Sequence, residues 1–341
     1  MSKHIIRGNR ELIKAMNRNL LLNIIRREGQ LSRTHLTDVS GLSAGAVSQI
    51  VNELLEDGWL LEIGEGEYTG GRRQMLLRLN PNAGYAVGLK LMERRAVCAI
   101  TNFEGNILYY RESPITADDA PEAIAADIAR VVKSTLAVAH APSERVLGVG
   151  IGLAGVIYPQ QGIVHYSPFF GWRNVPLAAL VGQHLHLPVY VENDVNTLTL
   201  SEQLFGAGRY QSNFVVVTIG RGIGMGMVIN GQLYQGARGG AGELGHILLD
   251  LPLARERGLE AGTLEGLAAD PAVLRAATDK RGAATLSSVA TDARAGDAAA
   301  FQALAGSGEY LGDGLATVIN ILCPPLIIVS GEGVVAGDIR L

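Results

Sequence analysis

Hydrophobic positions in residues 31–60 recur with helical spacing and divide this stretch into two short helices. The first is predicted to begin after Ser32, which suits an N-cap, and to end at Gly41, where positive φ permits a sharp turn. Ser43 is predicted to cap the second helix. The buried face of that helix is predicted to consist of Val47, Ile50, Val51, Leu54 and Leu55. This spacing is typical of a helix-turn-helix.

The opposite face of the second helix carries small or amide-bearing residues, namely Ala44, Gly45, Ser48, Gln49 and Asn52. Such side chains fit the major groove of DNA and can read base edges. We therefore predict that these residues, together with Arg33 and Ser43, contact double-stranded DNA. The alternative is that the two helices only pack within a larger helical domain, because the motif alone is moderately specific.

The flanking sequence extends the motif to a winged helix. A long amphipathic helix precedes it, with Leu20, Leu21, Ile24 and Ile25 available for packing. After it, a strand, a polar turn and a return strand are predicted at residues 59–63, 64–71 and 75–79. Arg72 and Arg73 lie at this predicted wing, where a guanidinium group can reach phosphate or the minor groove.

Charge supports DNA binding only in part. Residues 1–80 contain 11 Lys and Arg against 9 Asp and Glu, a net charge of +2, whereas the whole chain is −4. Basic residues cluster before the motif, and this cluster is either a surface for the DNA backbone or a solvated helix face. They are Lys3, Arg7, Arg10, Lys14, Arg18, Arg26 and Arg27. The acidic remainder disfavours DNA binding elsewhere in the chain.

Composition points to an α/β protein of two or three domains, because the 341 residues are 48% hydrophobic and include 43 glycines. Cys98 and Cys323 are far apart, which argues against a disulfide framework or a pair of metal ligands. The chain has neither a signal peptide nor a run of about 18 apolar residues, so a cytoplasmic location is expected.

A turn-rich segment at residues 80–84 marks the predicted boundary between a winged helix at 1–80 and a second domain at 84–341. Alternating strands and helices predict that the second domain is two-lobed and closes on a small ligand, with lobes at 84–195 and 196–341. Its strands are predicted at 85–91, 96–102, 146–153, 189–191, 214–219, 224–229 and 326–330, and its helices at 121–139 and 198–205.

Polar residues follow the strand at Val189, in the run Glu192-Asn193-Asp194 with Asn196. Carboxylates and amides at a strand end can form hydrogen bonds with sugar hydroxyls or remove a proton from one. The alternative is structural, because either Asn193 or Asp194 could be the N-cap of the following helix.

Two glycine-rich segments could also contact a ligand. Residues 218–226 could surround a phosphate with backbone N–H groups, although a tight hairpin would use the same glycines. Residues 239–246 place Glu243 and His246 three residues apart among glycines, which suggests close approach to a ligand. A lone histidine is more often structural.

Taken in order, these segments resemble the ROK family of repressors and sugar kinases along nearly the whole chain. The resemblance is carried by Asn17-Arg18, LSRTHLTDVSGLS, AVSQIVNELLEDG, GGRRQMLLRLN, GVGIGLAGVI, FFGWRNVPL, VENDVNTLTLSEQLFG, TIGRGIGMGMVINGQL, GARGGAGELGH, TLEGLA and VINILCPPLIIVSGE. It implies an actin-like, sugar-kinase-like two-lobed domain after the winged helix. The amino-terminal part resembles the repressor branch, which includes xylose and N-acetylglucosamine repressors.

The resemblance implies sugar contacts from Asn193, Asp194, Glu243, His246 and Glu265. Asp194 matches the catalytic base of the kinases. However, the position of the kinase phosphate loop, DxGGT, reads Leu89-Lys90-Leu91-Met92-Glu93-Arg94-Arg95 and has no aspartate. We therefore interpret Asp194 as a sugar ligand and expect no enzymatic activity.

The chain also departs from the family at a structural zinc site. The positions of the three zinc-binding cysteines are occupied by Arg255, Arg257 and Thr263, and these cannot complete a zinc site. We predict no zinc and no other cofactor. The loop is then expected to be held by a hydrogen bond or an Arg–carboxylate contact involving Glu256 or Glu260, or to be mobile, which puts the placement of Glu265 in question.

A third departure is at the carboxyl end, where the family normally continues for some tens of residues beyond the strand at Leu326. Either a truncated chain or missing final elements would then expose an apolar patch.

The sequence thus predicts a sugar-responsive repressor that binds operator DNA as a homodimer or higher homo-oligomer. Sugar binding would favour one closure state of the lobes and change the spacing of the DNA-binding heads. The alternatives are an ATP-dependent sugar kinase fused to a DNA-binding domain, and a repressor with a vestigial sugar site that responds to a protein partner or to nothing.

Overall fold

The computed structural model describes residues 10–65, 74–115, 120–277 and 285–341. The chain forms two compact units. The first comprises the chain up to Gly152 together with residues 169–171 and 175–191, and the second comprises residues 153–168, 172–174 and 192–341. The predicted boundary at 80–84 therefore lies within the first unit.

The first unit begins with the helix-turn-helix, and its turns follow the sequence prediction. The Ser32 hydroxyl accepts a hydrogen bond from the His35 N–H at 3.2 Å, and Gly41 has φ 69°. Ser43 caps the second helix by accepting from the Ala46 N–H at 3.3 Å. The three helices are α1 (Arg10–Glu28), α2 (Arg33–Ser40) and α3 (Ala44–Glu56).

The core of this winged helix is formed by one face of each helix and by the wing strands. It is lined by Leu21, Ile24, Ile25, Leu31, Leu36, Val47, Ile50, Val51, Leu54, Leu60, Leu77 and Leu79. Two predictions need correction: Leu20 is 40% exposed, and Leu55 is only half-buried. Leu20 lies beside the buried positions of α1 but one residue off the stripe that faces α2 and α3.

Three strands form the wing sheet in the order β1-β3-β2. They are β1 (Leu31–Ser32), β2 (Leu60–Glu65) and β3 (Met75–Leu79), and both pairings are antiparallel. The predicted wing contacts Arg72 and Arg73 lie outside the described residues.

The rest of the first unit is built on a five-stranded sheet in the order β11-β7-β4-β5-β6. Its strands are β4 (Tyr85–Leu91), β5 (Arg95–Asn102), β6 (Ile107–Pro114), β7 (Val146–Leu153) and β11 (Val189–Asn193), with helices α4 (Pro121–Val138) and α5 (Leu177–Leu185). The turn after β5 joins the sheet to the winged helix, because Phe103 packs edge-on against Trp59 at 4.8 Å between ring centroids.

The second unit contains two sheets, ordered β10-β9-β8 and β14-β13-β12-β15. The strands are β8 (Val156–Tyr158), β9 (Ile163–Ser167), β10 (Trp172–Val175), β12 (Phe214–Ile219), β13 (Ile223–Ile229), β14 (Gln232–Leu233) and β15 (Ile327–Ser330). The helices are α6 (Asp194–Phe205), α7 (Leu251–Arg257), α8 (Leu264–Ala268), α9 (Asp270–Ala277), α10 (Leu286–Arg294), α11 (Ala298–Leu322) and α12 (Gly337–Arg340). No helix in the described parts of the chain is long and apolar enough to cross a membrane.

The sequence pattern missed β6, the small sheet β8–β10, β14, α5 and the helices α7 to α12. Strand β6 lies at a sheet edge, and Ile107, Leu108 and Tyr110 are all exposed, so it lacks the alternation of a half-buried strand. Strands β8 to β10 have three to five residues each, which is too short for a periodic signal.

Candidate functional site

The outward face of α3 presents the residues predicted to contact DNA. Ala44, Gly45, Gln49 and Asn52 are exposed, and Ser48 is half-buried. Ser43 is exposed as well, although its hydroxyl oxygen is used to cap the helix. The face is therefore free of bulky groups near its amino-terminal end, as insertion into a major groove requires.

Arg33 lies beside this face and contacts two elements. Its guanidinium group donates to the Asn52 Oδ1 on α3 at 2.8 Å and to the Glu62 Oε1 on β2 at 3.2 Å. The Gln49 Nε2 donates to the Glu53 Oε1 at 3.2 Å, and Glu53 also pairs with Lys14 at 2.8 Å. Both amides of the predicted DNA-binding face thus have a defined partner.

In the second unit, Asn193 is the N-cap of α6, which settles the alternative left open by the sequence. Its Oδ1 accepts from the Val195 and Asn196 N–H groups at 2.8 and 3.1 Å, and its Nδ2 donates to the Gly155 carbonyl at 3.0 Å. Asp194 is the first residue of the helix, which begins four residues earlier than predicted. Both polar groups of the Asn193 side chain are therefore used in hydrogen bonds within the protein, where β11 ends and α6 begins.

Glu192 organises the same strand end from the other side. One carboxylate oxygen accepts from the Asn193 N–H and the Asn196 side-chain amide, and the other accepts from the side chain of Gln235. No sequence signal pointed to Gln235, because it lies more than forty residues further along the chain. This network fixes Asn196, which is buried.

Glu243, His246 and Glu265 form a cluster in the second unit. The His246 Nε2 lies 3.5 Å from the Glu243 Oε2, and these side chains are 62% and 48% exposed. The Glu265 Oε2 accepts from the Ile223 N–H at 2.9 Å. Desolvation raises the pKa of Glu243 above its ordinary value; His246 opposes this shift and Glu265 adds to it.

A small cavity of about 50 Å³ is lined by one predicted sugar ligand from each of the two segments. Asn193 and Glu243 belong to its lining, whereas Asp194, His246 and Glu265 do not belong to that lining. The other lining residues are Val195, Asn196, Gly224, Met225, Gly239, Ala241 and Gly242. The predicted sugar ligands thus form two groups: Asn193 and Asp194 at the start of α6, and the cluster of Glu243, His246 and Glu265.

The glycine-rich segments mainly serve packing of the protein against itself. Residues 218–226 form the tight β12–β13 hairpin, with Thr218 paired to Gly224. A Cβ at Gly226 would lie 2.0 Å from the Thr199 hydroxyl of α6, so the glycine lets α6 approach β13. A Cβ at Gly242 would lie 1.9 Å from the Met225 carbonyl. Residues 218–226 thus match the hairpin alternative. Gly242 approaches the backbone of this chain, whereas the sequence suggested that the glycines at 239–246 approach a ligand.

The raised pKa of Glu243 predicts a pH-dependent stability that Glu243→Gln removes. Because the folded chain holds this proton more tightly than the unfolded chain, the stabilisation is present below the ordinary glutamate pKa. It is lost as the pH rises through the raised pKa. Denaturant unfolding should be measured from below the ordinary glutamate pKa to neutral pH. Over this range, the free energy of unfolding of the wild type should fall relative to that of Glu243→Gln. Parallel curves for the two proteins would contradict the prediction.

Comparison with known proteins places the chain in a family. A profile described as ROK family matches residues 86–339, and one described as winged helix-turn-helix DNA-binding matches residues 17–60. The chain is 31% identical to the xylose repressor of Bacillus subtilis strain 168, covering 95% of this chain and 84% of that protein.

The chain belongs to the ROK family.

Solved ROK structures cover both branches of the family. The chain matches a ROK family transcriptional regulator, a homologue of the E. coli MLC protein, with a TM-score of 0.84 and 27% identity over 96% of this chain and 86% of that one. It matches a ROK glucokinase from Streptomyces griseus, in complex with glucose and AMPPNP, with a TM-score of 0.64 and 28% identity over 75% and 86% of the chains. The predicted winged helix followed by a ROK domain is thereby confirmed, as is a DNA-binding regulator of the ROK repressor type.

The segment that holds zinc in other ROK proteins does not fit a zinc ion here. Arg255 and Arg257 are exposed on α7, and the Thr263 hydroxyl is used as the N-cap of α8. Among the described residues, no group of three or more His, Cys, Asp or Glu side chains is arranged to hold a metal ion.

Hydrogen bonds hold this loop in place of metal ligands. The Thr263 hydroxyl donates to the Glu260 carbonyl at 2.8 Å and accepts from the Gly266 N–H at 3.2 Å. The Leu249 and Asp250 N–H groups both donate to the Gly262 carbonyl, at 2.9 and 3.0 Å. Of the predicted alternatives, hydrogen bonds therefore hold the loop: Glu260 contributes its carbonyl, and the Arg–carboxylate contact of Glu256 with its neighbour Arg257 is exposed. These hydrogen bonds order the loop that leads into α8 and Glu265.

We expect Thr263→Ala to lower the free energy of unfolding by about 1 kcal/mol, because it removes the cap of α8. Incubation of the wild type with a metal chelator should leave the melting temperature unchanged. Thermal melting of both proteins, with and without chelator and added zinc, measures these effects. A melting temperature that falls with chelator and recovers with zinc would contradict the expectation.

Proposed function

We propose that this ROK protein is a sugar-responsive transcriptional repressor of carbohydrate-utilisation genes. The observation that carries the proposal is the exposed face of α3, which bears small side chains and two amides. The chain is also similar to a xylose repressor over most of its length. The face is suited to base edges in a major groove. As in other helix-turn-helix proteins, two heads in a homodimer or higher homo-oligomer would bind two half-sites.

We infer that the effector is a sugar or sugar phosphate that contacts Asn193, Asp194, Glu243, His246 and Glu265. Carboxylates accept hydrogen bonds from sugar hydroxyls, and an imidazole can donate or accept one. Of these residues, Asn193 already uses both lone-pair directions of its oxygen within the protein. It would therefore act mainly by fixing Asp194 at the start of α6. The effector would change DNA affinity by binding one conformational state better than another.

A non-enzymatic role is supported by the β4–β5 turn. This turn, at the position of the kinase phosphate loop, consists of Met92, Glu93 and Arg94, and the Met92 N–H donates to the Arg95 carbonyl at 2.8 Å. It offers neither an aspartate for metal–phosphate chemistry nor small residues that would let phosphate approach the backbone.

A kinase activity is the second candidate function, supported by the likeness to the glucokinase and by a second cavity. This cavity of about 660 Å³ lies in the second unit and is lined in part by Arg221, Thr285 and Glu332. Its volume is within the range of small-molecule sites. A coupled ADP-release assay with a panel of sugars separates the two functions, since a repressor without kinase activity gives no sugar-dependent ADP.

A vestigial sugar site is supported by the size of the first cavity, because about 50 Å³ is far below the 300 Å³ or more of usual ligand pockets. Thermal melting across sugars and sugar phosphates, without nucleotide, tests this alternative. We expect one sugar to raise the melting temperature by mass action and to change the affinity for operator DNA. The same sugar should have little effect on Asp194→Ala and Glu243→Ala. No shift with any sugar, in a protein that binds DNA, would favour the vestigial site.

A further inference from the structure

Each of the two amide side chains on the predicted DNA-binding face of α3 uses one of its two polar groups in a hydrogen bond within the protein. Asn52 uses its Oδ1 to accept from Arg33, and Gln49 uses its Nε2 to donate to Glu53. Among the described residues, the Asn52 Nδ2 and the Gln49 Oε1 have no hydrogen-bond partner. Asn52 therefore keeps both N–H groups of its Nδ2 and one lone pair of its oxygen, whereas Gln49 keeps both lone pairs of its Oε1 and one N–H.

The chemistry of the partners decides these orientations. A guanidinium group can only donate, so Arg33 must meet the oxygen of Asn52. An ionised carboxylate can only accept, so Glu53 must meet the nitrogen of Gln49. Glu53 is a carboxylate at neutral pH, and the hydrogen bond from Lys14 lowers its pKa further. Rotating either amide by 180° would place the Asn52 NH2 group against the Arg33 N–H groups, or the Gln49 oxygen against the Glu53 carboxylate.

We propose that Arg33 and Glu53 set which base edges the recognition helix can read, an inference that rests on the proposed DNA-binding function. Asn52 then offers mainly donors, so it favours an acceptor such as guanine O6 or purine N7. Gln49 offers mainly acceptors, so it favours an amino group such as cytosine N4 or adenine N6. The two-bond contact with adenine is weakened for both amides, because it needs the Asn52 oxygen or the Gln49 nitrogen, each of which already has a partner.

The surroundings of both positioning residues support this assignment. Arg33 is held between α3 and the wing strand, because Glu62 binds a second nitrogen of the guanidinium group at 3.2 Å. Glu53 is fixed from the other side by Lys14, whose Nζ lies 2.8 Å from the second carboxylate oxygen. Preorganised side chains lose less entropy when DNA binds, so the orientation of each amide is favoured in the complex as well.

Selection of binding sites from a random DNA library, with the full-length protein and with single variants, tests the proposal. Arg33→Met frees the Asn52 oxygen, and Glu53→Ala frees the Gln49 nitrogen. Each variant should gain a preference for adenine of about tenfold at one base position, and the two positions should differ. Arg33→Lys keeps a donor next to Asn52 and should retain the wild-type base preferences.

The readout is the ratio of bases at each position, not affinity. Loss of the Arg33 charge weakens binding to all sequences alike, so a purely electrostatic or structural role leaves the base ratios unchanged. Unchanged ratios in both Arg33→Met and Glu53→Ala, in proteins that still select a site, would overturn this inference and leave the proposed function intact. If the wild type enriched no sequence at all, the proposed function itself would fail, and the inference with it.

Discussion

Ala44→Glu should reduce affinity for operator DNA by about a hundredfold or more, which is among the largest effects that we expect from one substitution. Ala44 is the first residue of α3 and is exposed on the predicted DNA-binding face. A carboxylate at this position would oppose the DNA phosphates. Because a negative charge in the first turn interacts favourably with the helix dipole, the folded protein should not be destabilised.

Ala298→Glu is the matched control for this prediction. Ala298 is likewise an exposed alanine at the first position of a helix, α11, and follows an N-cap residue, Asp297. It lies in the second unit, whereas α3 belongs to the first. Fluorescence anisotropy with a site selected by the wild type should show near-normal affinity for Ala298→Glu. Equal affinity of Ala44→Glu and wild type would exclude α3 as the recognition helix.

Arg340→Ala should lower the free energy of unfolding of the second unit by about 3–5 kcal/mol, because it leaves a buried charge without its partner. Arg340 is 2% exposed and donates to the Asp270 Oδ1 at 2.7 Å; Asp270 is 8% exposed. The same guanidinium group donates to the Ser307 hydroxyl at 2.9 Å and to the carbonyls of Ala268 and Gly333. One side chain thus ties α12 to the ends of α8 and α9 and to α11.

Arg294→Ala tests whether burial is the reason for this effect. Arg294 pairs with Asp338 of the same helix α12, with its Nε 2.8 Å from the Asp338 Oδ2, but both side chains are about half exposed. Solvent screens this pair, so its removal should change stability little. Denaturant unfolding of the two variants should separate them clearly. Similar losses in both would mean that the burial of Arg340 does not determine its contribution.

The candidate DNA-binding face shows how far local sequence can predict function. Ser32, Gly41 and Ser43 bound the helices of the motif as predicted, because caps and turns depend on residues within four positions of each other. The same 3.6-residue period that buries Val47 and Leu54 leaves Gln49 and Asn52 exposed. The pattern did not show that Arg33 constrains Asn52, since this contact spans 19 residues. The Gln49–Glu53 contact spans only four residues of one helix, so helical spacing was a signal that could have found it.

The sugar site was less accessible to sequence reasoning. The sequence left Asn193 and Asp194 as equal candidates for the N-cap, and the backbone of α6 decided for Asn193. The sugar contacts of Asp194, Glu243, His246 and Glu265 remain predictions. The sequence likewise associated the glycines at 239–246 with a ligand, whereas Gly242 makes room for the Met225 carbonyl.

The caps of the helix-turn-helix, most of the helical and strand periods and the family are predictable from the sequence alone, because they depend on neighbouring residues or on motifs in a fixed order. Which distant groups meet depends on how the chain folds in three dimensions. The carboxylate of Glu265 reaches a backbone N–H 42 residues away at Ile223, and Arg340 reaches Asp270 across 70 residues. Such pairs form because folding brings burial and complementary charge together at one place, and a single sequence records neither the distance nor the burial.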